Sequence, residues 1–251
     1  MSGFKDHFSE LASKYAGFRP HYPPELFDYL AELVPNKNTV WECACGSGQA
    51  TVDLAQRFAK IIATDGSKEQ IAAAPKHPRV DYRVATAEDC GLENQSVGLV
   101  AVAQALHWFD LDKFYAEAKR VLQPGGAIAV WAYGMTCVEG ADVDQLAQEY
   151  YSDIVGPYWP PERHIVEAGY RTIPFPFAEL APPKNIEIRV EWTLDQLLGY
   201  FSSWSATNRY IKANGKNPLE EFAPRLKPLW GDAERKREIC WPVALRVGRK
   251  N

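Results

Sequence analysis

"VWECACGSGQ" (Val40 to Gln49) sets a run of small residues behind an apolar pair, with one carboxylate, Glu42, ahead of the run. In a sheet wound by alternating strands and helices, the first strand-to-helix turn is where backbone comes closest to a ligand. Gly46 and Gly48 suit such a turn because they tolerate positive φ and carry no Cβ to hold a ligand away. Two nucleotide-binding readings fail. A dinucleotide loop needs Gly or Ala three residues past its second glycine, yet the register reads Ala-x-Gly-x-x-Gln from Ala44 and Gly-x-Gly-x-x-Thr from Gly46. A phosphate loop needs Gly-Lys-Ser or Gly-Lys-Thr, and none follows. What remains is acid-x-small-x-Gly-x-Gly, whose acid repels a pyrophosphate and suits a ligand bearing an ammonium and a sulfonium.

The surroundings place this loop in an open α/β sheet. Apolar runs at 39–44, 60–65, 80–85, 96–105 and 126–133 alternate with helical spacing at 51–59, 67–74 and 111–122, the pattern of a parallel sheet covered on both faces. "QPGG" after residue 122 reads as the stop of the last helix. The second run ends in "ATD", and Asp65 lies seventeen residues after Gly48. That is close to the spacing of about 20 at which an acid accepts ribose hydroxyls.

Beyond Tyr133 the alternation breaks. A helix is expected over 142–156, proline-rich loops at 156–162 and 174–183, a strand at 185–192, one long helix at 193–211 and a strand over 237–250 interrupted by a proline. Two helical stretches flanking "RPHYPP" precede the sheet. The expected organisation is a single domain over 1–251, with a core of about 37–134 plus 237–250 and a cap of about 1–36 and 135–236.

Composition narrows the partners. A net charge of -4 offers no general attraction to a polyanion, so no nucleic acid is expected. The N-terminal stretch carries charges where a signal peptide is apolar, and no run resembles a membrane span, so a cytoplasmic chain without a membrane partner is expected. The five cysteines, Cys43, Cys45, Cys90, Cys137 and Cys240, form no C-x-x-C pair and read as buried thiols; no metal is expected.

Together "VWECACGSGQ", "IIATDGS", "TAEDCGL", "AQALHWFD" and "RVLQPGGAIAVWAYG", spanning 40–134, resemble the class I S-adenosylmethionine-dependent methyltransferases. The resemblance implies a Rossmann-like, doubly wound, mostly parallel seven-stranded sheet with a helical cap, and S-adenosylmethionine as cofactor. It implies that Glu42, Ala44, Gly46 and Gly48 line the methionine half, that Asp65 binds the ribose, that Ala87 and Glu88 border the adenine, and that Gln104 lies beneath the methionine. Two departures stand out: Ala44 replaces the first glycine of the loop, which is tolerable if φ there is negative, and Gly98 replaces an acid often found early in the fourth strand. "AQALHWFD", "RPHYPP" and "GYFSSWSATNRY" are similar to a small-molecule branch, the trans-aconitate methyltransferase group (methyltransferase type 11).

A small-molecule acceptor methylated on oxygen, a carboxylate among the options, is therefore expected. An ionised carboxylate needs a cation to hold it, for which arginine's planar fork is suited; Arg19 and Arg209 are the candidates. His107, after the fourth strand, is the candidate base for a hydroxyl acceptor or else a positioning group. Tyr15 and Tyr22 are placed to cover the cofactor or to pack the N-terminal helices, and Tyr22, Trp108, Trp131, Tyr133 and Trp204 are candidates for an apolar pocket wall. The alternatives are a protein or nucleic-acid methyltransferase, against which no N-P-P-Y or D-P-P-Y motif ends the fourth strand, and a cofactor-binding protein without turnover.

Overall fold

The computed structural model describes residues 20–34 and 38–250. Tyr15 and Arg19 lie outside the described residues, as does the first expected N-terminal helix. The first described helix, α1 (Pro24–Glu32), starts with proline at its first position, where a missing N–H costs nothing. Then follow β1 (Thr39–Cys43), α2 (Thr51–Arg57), β2 (Lys60–Asp65), α3 (Lys68–Ala73), β3 (Val80–Val84) and β4 (Val97–Ala103). A 3-10 turn (Leu106–Trp108) leads to α4 (Leu111–Val121) and β5 (Leu122–Tyr133).

The cap begins with β6 (Cys137–Val138), α5 (Ala141–Glu149) and a π turn (Tyr150–Ile154). It continues through α6 (Arg163–Glu167), β7 (Ala178–Leu180), β8 (Glu187–Trp192), α7 (Leu194–Ser202), α8 (Ser205–Asn214) and α9 (Leu219–Trp230), and β9 (Arg237–Arg249) returns to the sheet.

The strand order is β3-β2-β1-β4-β5-β9-β6, with β7 and β8 also paired to β9. β1 to β5 pair in parallel, and every pairing of β9 is antiparallel. The sheet is the expected mixed α/β type, with nine strands where seven are expected. The additional strands are the two-residue β6 and the three-residue β7, too short to carry an alternation pattern.

Burial on both faces explains the apolar runs. Along β5, Ala127, Ala129, Trp131 and Tyr133 enter one hydrophobic cluster, while Ile128, Val130 and Ala132 enter the other. The first cluster continues without a break into the cap, through Tyr150, Phe201, Trp204, Phe222 and Trp230. Cap and sheet thus share one apolar interior.

Several expectations change in detail. "QPGG" falls inside β5 instead of closing the preceding helix. The helix expected over 193–211 is two helices, because Trp204 is extended at the N-cap of α8. Side chains offset the break by bonding to carbonyls at the end of the first helix: Thr207 Oγ1 donates to Phe201 O at 2.8 Å, and Asn208 Nδ2 donates to Ser202 O at 3.3 Å. Gly98 is explained by packing, since a Cβ there would stand 2.7 Å from Val34 Cγ1. Of the five cysteines, Cys137 is exposed and Cys240 only half-buried, so those two are not the buried thiols expected.

Candidate active site

The order 3-2-1-4-5 reverses between β1 and β4, and the crevice at the carboxyl ends of those two strands is where such sheets take ligands. The loop 44–49 and the segment 104–108 both open from it. Both begin with non-glycine residues in the left-handed region: Ala44 at φ 54° and Gln104 at φ 55°. The condition of a negative φ at Ala44 is therefore not met, and the chain holds strain of about 1 kcal/mol or more at each position. Gln104 is fixed by two donors, its N–H to Trp131 O at 2.9 Å and its Nε2 to Tyr133 O at 3.0 Å.

Gly46 (φ 56°) and Gly48 (φ 82°) are glycines for different reasons. A Cβ on Gly46 would meet nothing nearer than Gln70 Oε1 at 3.9 Å, so that side of the loop faces open space. One on Gly48 would stand 2.6 Å from Tyr82 Oη, so packing alone forbids it. Asp65, at the end of β2, accepts from Gly46 N at 2.8 Å and from Ser67 N at 2.9 Å. It thereby pins the loop to the start of α3.

Glu42 is 1% exposed, and its Oε2 has no hydrogen-bond partner; Thr51 Oγ1 and Tyr82 Oη are buried and unpartnered as well. Thr51 lies close enough to stabilise the carboxylate somewhat but without an aligned bond. Burial, reinforced by the negative charges of Asp65 and Asp53, pushes the Glu42 carboxyl up to about 8. An orphaned carboxyl oxygen at the end of β1, next to a loop with an open side, fits a ligand with a compact cation, as S-adenosylmethionine has. Sequence reasoning missed Thr51 and Tyr82, which reach Glu42 only through the fold.

Ala87 is buried and Glu88 half-buried in the segment between β3 and β4, and Glu88 Oε1 accepts from Asp110 N, at the N-cap of α4, at 3.1 Å. Glu117 anchors the same segment by accepting from Cys90 N at 3.0 Å, and its ion pair with Arg120 at 2.7 Å lowers its carboxyl to about 2.

The pocket candidates divide into two groups. Tyr22 packs edge-on against Trp131 at 5.8 Å and Tyr133 at 6.0 Å, Tyr133 meets Trp241, and Tyr200 joins Trp241 to Trp204 at 5.3 and 5.5 Å. Trp131 is wholly buried and belongs to the core, so it is not an open pocket wall; its Nε1 has no partner. Trp108 instead lies against His107, 4.6 Å between ring centroids. His107 Nδ1 bonds to Tyr170 Oη at 3.1 Å, and burial together with Arg163 pushes the imidazole down to about 3. A nitrogen so reluctant to take a proton is a poor general base near neutral pH, which leaves the positioning role. Arg209 is half-buried on α8 and has no ion pair among the described residues, and the shared face with Trp204 expected for it is lost because Trp204 precedes the helix.

The cation the structure brings to His107 is Arg163, at the start of α6. Its guanidinium lies 4.7 Å from the Trp159 ring centroid and 5.3 Å from that of Tyr151, its Nε donates to Tyr151 Oη at 2.6 Å, and Tyr151 in turn donates to Glu167. Trp159 and Tyr151 also touch Trp204, at 5.5 and 5.6 Å. Arg163 directly follows the proline-rich stretch 156–162 and was not singled out from the sequence, where only its aromatic neighbours in "YWPPER" signal a built environment. Among the described residues no three side chains gather to hold a metal ion, and no helix is long and apolar enough to cross a membrane.

Comparison with known proteins gives this geometry a family. Residues 41–130 match the model of a methyltransferase domain family. A protein of Dictyostelium discoideum, provisionally named a methyltransferase, is 35% identical over 98% of this chain and 96% of its own. The methyltransferase cfoB of Aspergillus candidus is 26% identical over 93% of this chain and 82% of its own. The solved structure of a provisionally assigned type II methyltransferase from Anaeromyxobacter dehalogenans superposes with a TM-score of 0.88, at 46% identity over 93% of this chain and 99% of that one. With the order of its strands, the loop after β1 and relatives that match it end to end, the chain belongs to the class I S-adenosylmethionine-dependent methyltransferases.

Proposed function

We propose that this methyltransferase acts in the cytoplasm on a small acidic molecule and methylates a carboxylate oxygen. The observation that carries the reading is Arg163, a cation held between two aromatic rings beside His107 at the rim of β4. Its resemblance to the trans-aconitate methyltransferase group points the same way. When bound, S-adenosylmethionine supplies an electrophilic methyl on a sulfonium. Glu42 would take its ammonium, the 44–48 backbone and Gln104 would border the methionine half, Asp65 would accept ribose hydroxyls in addition to its two backbone bonds, and Ala87 and Glu88 would flank the adenine. A carboxylate has about four acceptor positions, enough for both of Asp65's tasks.

On the acceptor side Arg163 holds one carboxylate through paired N–H donors, and Tyr151, Trp159 and Trp204 exclude water from the rest. Such an acceptor is already ionised at neutral pH, so the weak basicity of His107 is no obstacle; with Tyr170 and Trp108 it shapes the rim. Displacement at a methyl carbon needs alignment above all, and that is what a fixed arginine provides.

The test is a panel of mono-, di- and tricarboxylic acids and their neutral hydroxyl analogues with methyl-labelled cofactor. Label should appear as a base-labile methyl ester of an acid. Arg163→Ala should lower turnover of that acid by roughly ten- to a hundredfold, the cost of one charged hydrogen-bonding partner, and leave cofactor affinity in place. Arg163→Lys should restore only part. Base-stable label, or label on neutral acceptors alone, overturns the carboxylate reading.

A further inference from the structure

Cys137 and Cys240 face each other across the antiparallel pairing of β6 and β9. Val138 sends its N–H away from β9 to Asp144 Oδ1 at 2.8 Å, while Glu139 N donates to Glu238 O at 2.8 Å. The alternation makes Cys137 and Cys240 a hydrogen-bonded pair, for which the Cα atoms lie about 5.5 Å apart. That separation is within the range of disulfides, about 4.4–6.8 Å. The opposed side chains of Cys137 and Cys240 leave the sheet on the same face. The other three cysteines are buried; Cys137 is exposed and Cys240 half-buried.

We infer that Cys137 and Cys240 form a reactive dithiol that hydroperoxides oxidise to a cross-strand disulfide. The exposed Cys137 reacts first: its thiolate attacks one peroxide oxygen, the O–O bond breaks, and a sulfenic acid forms while the leaving oxygen departs as water or an alcohol. The Cys240 sulfur then attacks Cys137 Sγ and expels hydroxide, which leaves as water with the Cys240 proton. The two sulfurs lose two electrons and the peroxide gains them. Burial and the facing Cys137 raise the Cys240 thiol to about 11, so little of it is thiolate and it is not the sulfur that meets the oxidant first; its place opposite Cys137 makes it the partner that closes the bond. The bond joins the first strand of the cap to the strand that closes the sheet, so the whole cap insertion becomes a covalent loop.

The experiment uses the full chain, reduced, desalted and exposed to limiting hydrogen peroxide, then alkylated in denaturant and mapped by mass spectrometry. The expected result is the loss of two alkylatable thiols and a single linked peptide pair holding Cys137 and Cys240, reversed by dithiothreitol. Cys137→Ser and Cys240→Ser should each lack it. The oxidised wild type should melt at a higher temperature than the reduced protein. Mapping of the wild type decides the matter even if a serine variant does not fold. Links among other cysteines, sulfinic acid on Cys137 with Cys240 still alkylatable, or no reaction at the pair would each overturn the inference.

Discussion

Glu42 is buried, short of hydrogen bonds and surrounded by like charge, and its proton is therefore tied to whatever cation enters the site. Below about pH 8 the carboxyl holds a proton, which a bound ammonium must displace. Affinity for S-adenosylmethionine should accordingly fall as pH drops below 8, by up to about tenfold per unit, with one proton released on binding. Without ligand the sign is different. A folded pKa above the unfolded value gives stability at low pH that is lost as pH rises from the ordinary carboxyl range through 8. Glu42→Gln should flatten both curves, and calorimetry in buffers of different ionisation enthalpy, with melting curves across the range, measures them; an affinity independent of pH in the wild type would sink the assignment. The acid itself was legible from its spacing to the glycines. Its state was not, because Thr51 and Tyr82 reach it from other elements, and the left-handed φ of Ala44 is imposed by a turn that no local preference of alanine foretells.

At the scale of elements, β1 to β5 and the helices between them were legible because strands buried on both faces read as unbroken apolar runs. The cap was harder. "SSWSATN" has helical spacing throughout, and its break is decided by Thr207 and Asn208, whose side chains bond to Phe201 O and Ser202 O at the end of α7. α9 was missed altogether because Pro224 and Pro228 interrupt it, and packing of Leu219, Phe222, Leu226 and Trp230 along one face overrides them. Thr207 is fully buried and also bonds to Tyr150 Oη at 3.0 Å, which ties α8 to the π turn. Thr207→Val keeps the shape but leaves Tyr150 Oη without this partner and Phe201 O with only the N–H of Trp204, and should cost about 2 kcal/mol. A urea midpoint unchanged from wild type would show that the helix break is held by something else.

Across the whole molecule, a shared apolar interior means that the cap is part of the fold and not an attachment to it. β9 is the joint. Its second half, from Val243, lies between β5 and β7, its first half lies between β6 and β8, and Pro242 marks the change of partners. A chain ending before Arg237 should lose cooperative melting and near-ultraviolet dichroism and bind a hydrophobic dye, since the edge of β5 and much of the cap are left uncovered. Retention of a sharp transition and of cofactor affinity would show that the remainder folds alone.

The position of β9 in the chain also orders events at the ribosome. Synthesis delivers every strand that β9 pairs with before β9 itself, so the nascent polypeptide leaves the exit tunnel with the edge of β5 unpaired. For that interval the newborn protein presents an unpaired strand edge in a long apolar run, a template for joining its neighbours that the arrival of β9 removes.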